Sequence, residues 1–67
     1  MIDFRFILMF DLQWDCFVFE IWHDNIMLAE VTEHGDVHLY NENEQKEIMA
    51  TSQFKEAIEY AKKRAKG

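Results

Sequence analysis

Short apolar runs alternate with turn signals through residues 2–40, and apolar residues recur at helical spacing near the end of the chain. The turn signals lie at 11–15, 23–26 and 33–36, and the runs between them are rich in β-branched and aromatic residues. Such runs are typical of β-strands joined in a meander. The pattern predicts four strands, at 2–10, 16–22, 27–32 and 37–40.

A single helix is predicted after the strands, at 53–65, with Thr51 or Ser52 as its N-cap. Its apolar stripe consists of Phe54, Ala57, Ile58, Ala61 and Ala65. The sequence leaves open whether Ile48 and Met49 form a short edge strand or fill the core. We therefore predict one α+β domain, 1–67, in which a four-stranded antiparallel meander is followed by one C-terminal helix packed on one face (ββββα).

Turn chemistry predicts how the strands pair. Asp24 and Asn25 tolerate positive φ, and a two-residue turn there places Phe19 opposite Glu30. In that register Glu20 and Glu30 lie on opposite faces, each inside an otherwise apolar strand, where an unpaired buried carboxylate is costly. Each glutamate is therefore expected either to lie at the rim of the sheet or to bind a basic residue of a partner. The other expected pairs are Val18–Val31, Ile21–Leu28 and Trp22–Met27, and, across a turn at Gly35, Val31–His38, Glu30–Leu39 and Thr32–Val37.

Both faces of the predicted sheet are apolar, in this register or after a slip of one residue. One helix of about thirteen residues is ~20 Å long and covers one face. Exposed apolar patches larger than a few hundred Å² usually mark an interface. The sequence therefore predicts either a homodimer through the open face or a protein partner that covers it.

Charge is distributed unevenly along the chain. Residues 1–45 carry a net charge of −9 and residues 46–67 a net charge of +3, within a total of −6. The acidic part should repel nucleic acid and anionic membranes. No signal peptide or membrane-length apolar run is recognisable, and one cysteine excludes an internal disulfide, so we expect a cytoplasmic protein.

The polar residues form no convincing catalytic or metal-binding pattern. His34, Asp36 and His38 are two apart, but the turn at 33–36 breaks their common direction, so no metal is predicted. Cys16 and His23 lie at opposite ends of one predicted strand, too far apart for a nucleophile and its base. A chain this small rarely builds an enclosed cleft. We expect neither enzymatic activity nor a cofactor.

The preferred function is a small acidic protein-binding module, inhibitor or immunity/antitoxin-like, that acts through an acidic sheet surface and a spare apolar face. Its partner would be a protein, and a basic one would suit the charge. The expected partner-binding residues are Trp14, Trp22, Asp24, Glu33, Asp36 and Tyr40. The alternative is a structural or regulatory homo-oligomer that uses the open face on itself.

A third hypothesis is single-stranded nucleic-acid binding. The β-β-β-β-α order is similar in outline to that of transcription-coactivator and whirly-type domains, an analogy of topology alone, since fold does not imply function. The basic segment 62–66 favours it, whereas the acidic residues of the sheet oppose phosphate. Of the three hypotheses, nucleic-acid binding is therefore the least favoured.

Overall fold

The computed structural model describes residues 2–66, and it confirms the predicted ββββα fold. The strands are β1 (Arg5–Asp11), β2 (Cys16–His23), β3 (Ile26–Thr32) and β4 (Val37–Leu39), and the helices are α1 (Lys46–Met49) and α2 (Ser52–Ala65). The strands form one antiparallel sheet in the order β1-β2-β3-β4. Residues 48–49, which the sequence left open, belong to the short helix α1.

The β2–β3 turn has the predicted form. Asp24 and Asn25 have φ values of 49° and 66°, and His23 pairs with Ile26 on either side of them. Two consecutive residues with positive φ match the right-handed twist of the flanking strands. The turn therefore fixes the first pairs of this hairpin, including the predicted Trp22–Met27 pair.

A β-bulge changes the register a few residues beyond that turn. The shift lies between Ile21 and Trp22, and Ile21 pairs with Ala29, so Leu28 is the extra residue. The predicted pairs beyond this point are wrong by one residue. The observed pairs are Val18–Thr32, Phe19–Val31, Glu20–Glu30 and Ile21–Ala29. The bulge places Leu28 and Ala29 both in the core, where both are fully buried.

The β3–β4 connection is one residue longer than the tight turn expected from the sequence. The amide of Thr32 donates to the carbonyl of Asp36 (2.9 Å), and Gly35 adopts a φ of +89°. The hydroxyl of Thr32 accepts hydrogen bonds from the amides of two residues of this loop, at 3.1 and 3.2 Å. Val37 consequently pairs with Val31, so the predicted Thr32–Val37 pair is wrong. The full set of β3–β4 pairs is Ala29–Leu39, Glu30–His38 and Val31–Val37.

The core lies between the sheet and α2, which packs mainly on β2 and β3. Thr51 is the N-cap, and its hydroxyl accepts from the amide of Phe54 (3.2 Å). The fully packed core residues are Ile21, Leu28, Ala29, Val31, Phe54, Ala57 and Ala61. Because the helix lies over the middle of the sheet, Leu8 and Phe10 on β1 remain 55% and 44% exposed.

Candidate functional site

Two carboxylates lie side by side in the middle of the sheet face that points away from α2, which we call the open face. Glu20 on β2 pairs with Glu30 on β3, and Glu30 pairs with His38 on β4. Paired residues share a face, so these three side chains form one line across the sheet, the acidic row. Glu30 is only 6% exposed and Glu20 is half-buried. Neither carboxylate forms an ion pair within residues 2–66.

Each carboxylate of the acidic row accepts a hydrogen bond from an aromatic side chain. The indole Nε1–H of Trp22 donates to Oε1 of Glu20 (3.0 Å), and the hydroxyl of Tyr40 donates to Oε1 of Glu30. The bond to Glu30, together with burial and the negative charge of Glu30, raises the pKa of Tyr40 to about 12. The two aromatic groups therefore each provide a hydrogen bond to one carboxylate oxygen without supplying a positive charge.

A third aromatic side chain reaches the acidic row from the β1–β2 connection. The carboxylate of Asp11 accepts from the amides of Gln13 (2.8 Å) and Trp14 (3.3 Å), which folds this connection into an Asx-type turn. The ring of Trp14 stacks on that of His38, with centroids 4.2 Å apart and planes 13° apart. Within residues 2–66, Nε2 of His38 is buried and has no hydrogen-bond partner.

The structure separates the six predicted partner-binding residues into two groups. Trp14, Trp22 and Tyr40 surround the acidic row. The other three are Asp24 in the β2–β3 turn and Glu33 and Asp36 in the β3–β4 loop. These two connections lie at opposite ends of β3, about 20 Å apart at ~3.4 Å per residue. The acidic row with its three aromatic residues is thus the compact part of the predicted site.

Sequence reasoning singled out Glu20 and Glu30 but placed them on opposite faces, which is wrong. The bulge at Leu28 turns Glu30 onto the face of Glu20. His38 was considered in a metal hypothesis and not as a neighbour of Glu30. The order of polar and apolar residues in β2 and β3 does not indicate that Glu20, Glu30 and His38 lie side by side.

Cationic side chains are scarce around the acidic row. Arg5 is the sole Lys or Arg among residues 1–45. It pairs with Trp22 on the exposed edge strand β1 and takes part in no ion pair among the described residues. The open face therefore carries one half-buried and one buried carboxylate at its centre, with aromatic surfaces around them and one peripheral base.

One cluster could hold a metal ion. Ligand atoms of Cys16, Glu33 and His34 lie within 4.8 Å of one another at the end of β2. Thiolate, imidazole and carboxylate together suit a borderline cation such as Zn²⁺. However, Cys16 is 2% exposed, and a Glu33 oxygen accepts from the amide of Phe17 (3.0 Å). Strand-end hydrogen bonding therefore accounts for the position of Glu33 without a metal.

The fold and the open face together define a small α+β domain with an acidic, aromatic-lined sheet surface. The chain matches no protein-family model, and no curated protein or solved structure is significantly similar to it. Within residues 2–66, no helix has both the length and the apolar character needed to cross a bilayer.

Proposed function

We propose that this chain is a small acidic protein-binding module, of inhibitor, immunity or antitoxin type, whose open face receives a basic side chain of a partner protein. The observation that carries the proposal is the direct pairing of Glu20 with Glu30 in the centre of the sheet, with no cation to neutralise them among the described residues. Like charges directly opposite each other destabilise a sheet. A partner's cation placed against the half-buried Glu20 would reduce that cost on binding.

The aromatic surroundings favour arginine over lysine as the group received. A guanidinium is planar, donates several hydrogen bonds in a fixed geometry and stacks on aromatic rings. Trp14 and Trp22 offer such rings beside the two carboxylates. The same carboxylates would repel phosphate, which argues against nucleic acid as the ligand.

Charge outside the row supports the same class of partner. Residues 1–45 carry −9, so a basic protein would be attracted over a distance before it docks. Such steering acts mainly on the association rate and weakens with added salt. A protein with a basic substrate-binding site, such as a nuclease, has a suitable surface for this module to block. The free thiol of Cys16 fits the reducing cytoplasm in which we expect it to act.

The experiment uses a short arginine-containing peptide and the same peptide with citrulline, which keeps the shape of arginine but not its charge. Binding is followed by the NMR resonance of the Trp22 indole N–H, which donates to Glu20. We expect the arginine peptide to shift this resonance, the citrulline peptide to leave it unchanged, and Glu20→Gln to weaken binding. The matched control is Glu42→Gln, on an exposed loop. Equal binding of the two peptides, or equal loss in both variants, would contradict the proposal.

A second function, as a homo-oligomer, is favoured by a different observation. The sequence placed the spare apolar surface on the open face, but the centre of that face holds the acidic row. The exposed apolar side chains Leu8, Met9 and Phe10 lie together on the edge strand β1. We propose that this strand supplies the contact between copies. Sedimentation equilibrium from micromolar to hundreds of micromolar protein tests it, since a monomer throughout would contradict the proposal.

A further inference from the structure

The middle of the edge strand β1 lacks the usual protection. β1 lies at one end of the sheet, so its outer edge has no neighbouring strand within residues 2–66. It is seven residues long, its charged residues Arg5 and Asp11 lie at its two ends, and Leu8, Met9 and Phe10 are each more than 40% exposed. The opposite edge strand, β4, is only three residues long. Long apolar edges readily pair with another chain, and proteins normally shorten or charge them.

We infer that β1 pairs antiparallel with β1 of a second copy about a two-fold axis at Leu8, which joins two sheets into one of eight strands. This inference rests on the homo-oligomer function proposed above and is independent of the acidic row. About this axis, Arg5 of each copy lies opposite Asp11 of the other, and Ile7 lies opposite Met9. Residues with odd numbers in β1 share the open face, so these contacts form there.

Charge favours this register over the two adjacent registers, in which the two-fold axis is moved by one residue. Moving the axis to Ile7 would place Asp3 opposite Asp11, which is repulsive, and moving it to Met9 would place Ile7 opposite Asp11. With the axis at Leu8, the two charges of β1 complement each other at both ends of the contact. The side chains of Arg5 and Asp11 can both form this contact. Arg5 forms no ion pair among the described residues, and the turn bonds of Asp11 use Oδ1 only, which leaves Oδ2 free.

The other side of the sheet fits the same register. Phe6 of each copy would lie opposite Phe10 of the other, on the side covered by α2. Next to Phe6 is an open groove of about 520 Å³ between β1 and α2, whose apolar lining includes Phe4, Ala57 and Tyr60. The ring of Tyr60 already packs on Phe6, with centroids 4.8 Å apart. Phe10 of the second copy would therefore extend an existing aromatic contact at the mouth of this groove.

The first test is Leu8→Lys, with Leu39→Lys on the other edge strand as the matched control. Leu8 and Leu39 are 55% and 40% exposed, so both variants should fold, and circular dichroism verifies this. Leu8→Lys places two ammonium groups at the axis and should abolish the dimer in sedimentation equilibrium, whereas Leu39→Lys should leave it intact. A monomeric parent protein would overturn both this inference and the homo-oligomer function. A dimer that survives Leu8→Lys would overturn β1 as the contact and show that the chain self-associates through another surface.

The second test addresses the register. Arg5→Asp should weaken the dimer by roughly tenfold or more, because two attractive pairs become repulsive. Arg5→Lys, which keeps the charge, should leave its Kd nearly unchanged. Mixing Arg5→Asp with Asp11→Arg should restore a heterodimer, since opposite charges again face each other. If Asp11→Arg fails to fold because it loses the Asx turn, the comparison of Arg5→Asp with Arg5→Lys still decides. Equal Kd values for those two variants would refute the register.

Discussion

Replacing Glu20 with glutamine should make the protein more stable, although a hydrogen-bonded charged group is removed. Glu20 faces Glu30 directly across β2 and β3, so the substitution removes the repulsion between the two carboxylates. The glutamine carbonyl can still accept from the indole of Trp22, which now donates to Glu20 at 3.0 Å. The glutamine amide can donate to Glu30. A repulsive pair thus becomes a hydrogen-bonded one.

The expected gain is about 1 kcal/mol in the free energy of unfolding. Cross-strand side-chain pairs are each worth ~0.2–1 kcal/mol, and we expect the repulsion of this pair to lie at the upper end because solvent screens a buried charge poorly. Glu30 is 6% exposed. For a domain of this size, about 1 kcal/mol corresponds to roughly 4–8 °C in Tm.

Urea unfolding followed by circular dichroism measures the effect, with Glu42→Gln on the exposed loop as the control for removing one negative charge from an acidic protein. The control should change stability by less than about 0.5 kcal/mol. In the cycle of Glu20→Gln, Glu30→Gln and the double variant, the two gains should not add, because either substitution removes the same repulsion. The reasoning is refuted if Glu20→Gln is no more stable than Glu42→Gln, or if the cycle shows no coupling.

Two further predictions concern single groups of the fold. Thr32→Val should destabilise the protein by about 1–3 kcal/mol, because the hydroxyl that accepts from two amides of the β3–β4 loop is lost. Thr32→Ser keeps this hydroxyl and should cost less. Urea unfolding of the two variants compares their stabilities. Tyr40 has a pKa of about 12 in place of 10.0, so the stability that it contributes is complete below about pH 10 and is lost as the pH rises towards 12. In Tyr60→Phe protein, ultraviolet titration should give this raised midpoint, and adding Glu30→Gln should lower it; a midpoint that Glu30→Gln leaves unchanged would contradict the assignment.

The local elements of this fold could be predicted from the sequence because each has its own signal. Asp24 and Asn25 form the turn that their tolerance of positive φ indicates, and Thr51 caps the helix with its hydroxyl. Four of the five residues of the predicted apolar stripe of α2 are buried, and the fifth, Ile58, is half-buried. These signals depend only on neighbours in the chain, which is why they survive without knowledge of the packing.

The register of β3 could not be predicted, and the candidate site depends on it. Because both faces of β2 and β3 are largely apolar, a shift of one residue exposes no polar set and leaves no mark in the pattern. The extra residue Leu28 becomes evident only when the sheet is packed against α2. Without the bulge, Glu20 and Glu30 would occupy opposite faces, and three of the predicted partner-binding residues would surround one carboxylate instead of two.

The acidic row and the β1 interface together predict the spacing of two arginines that a ligand needs to bind both copies of the dimer. A two-fold axis perpendicular to the sheet leaves both acidic rows of the dimer on the same face. Glu20 pairs with Ile7 on β1, so the two Glu20 residues of the dimer would be three strand spacings apart, about 14 Å across the sheet. They would also be offset by two residues along the strands. The distance between them is then roughly 16 Å.

A peptide with two arginines joined by about eight Gly/Ser residues has a root-mean-square span near 16 Å and could occupy both sites. Against the dimer it should bind ~10²-fold or more tightly than the peptide with one arginine, because the second contact is intramolecular. The monomeric Leu8→Lys variant should lose this preference and keep its affinity for the single arginine, since Leu8 lies on the α2 side of β1, away from the acidic row. An equal preference for the two-arginine peptide in both proteins would show that the sites are not brought together by β1.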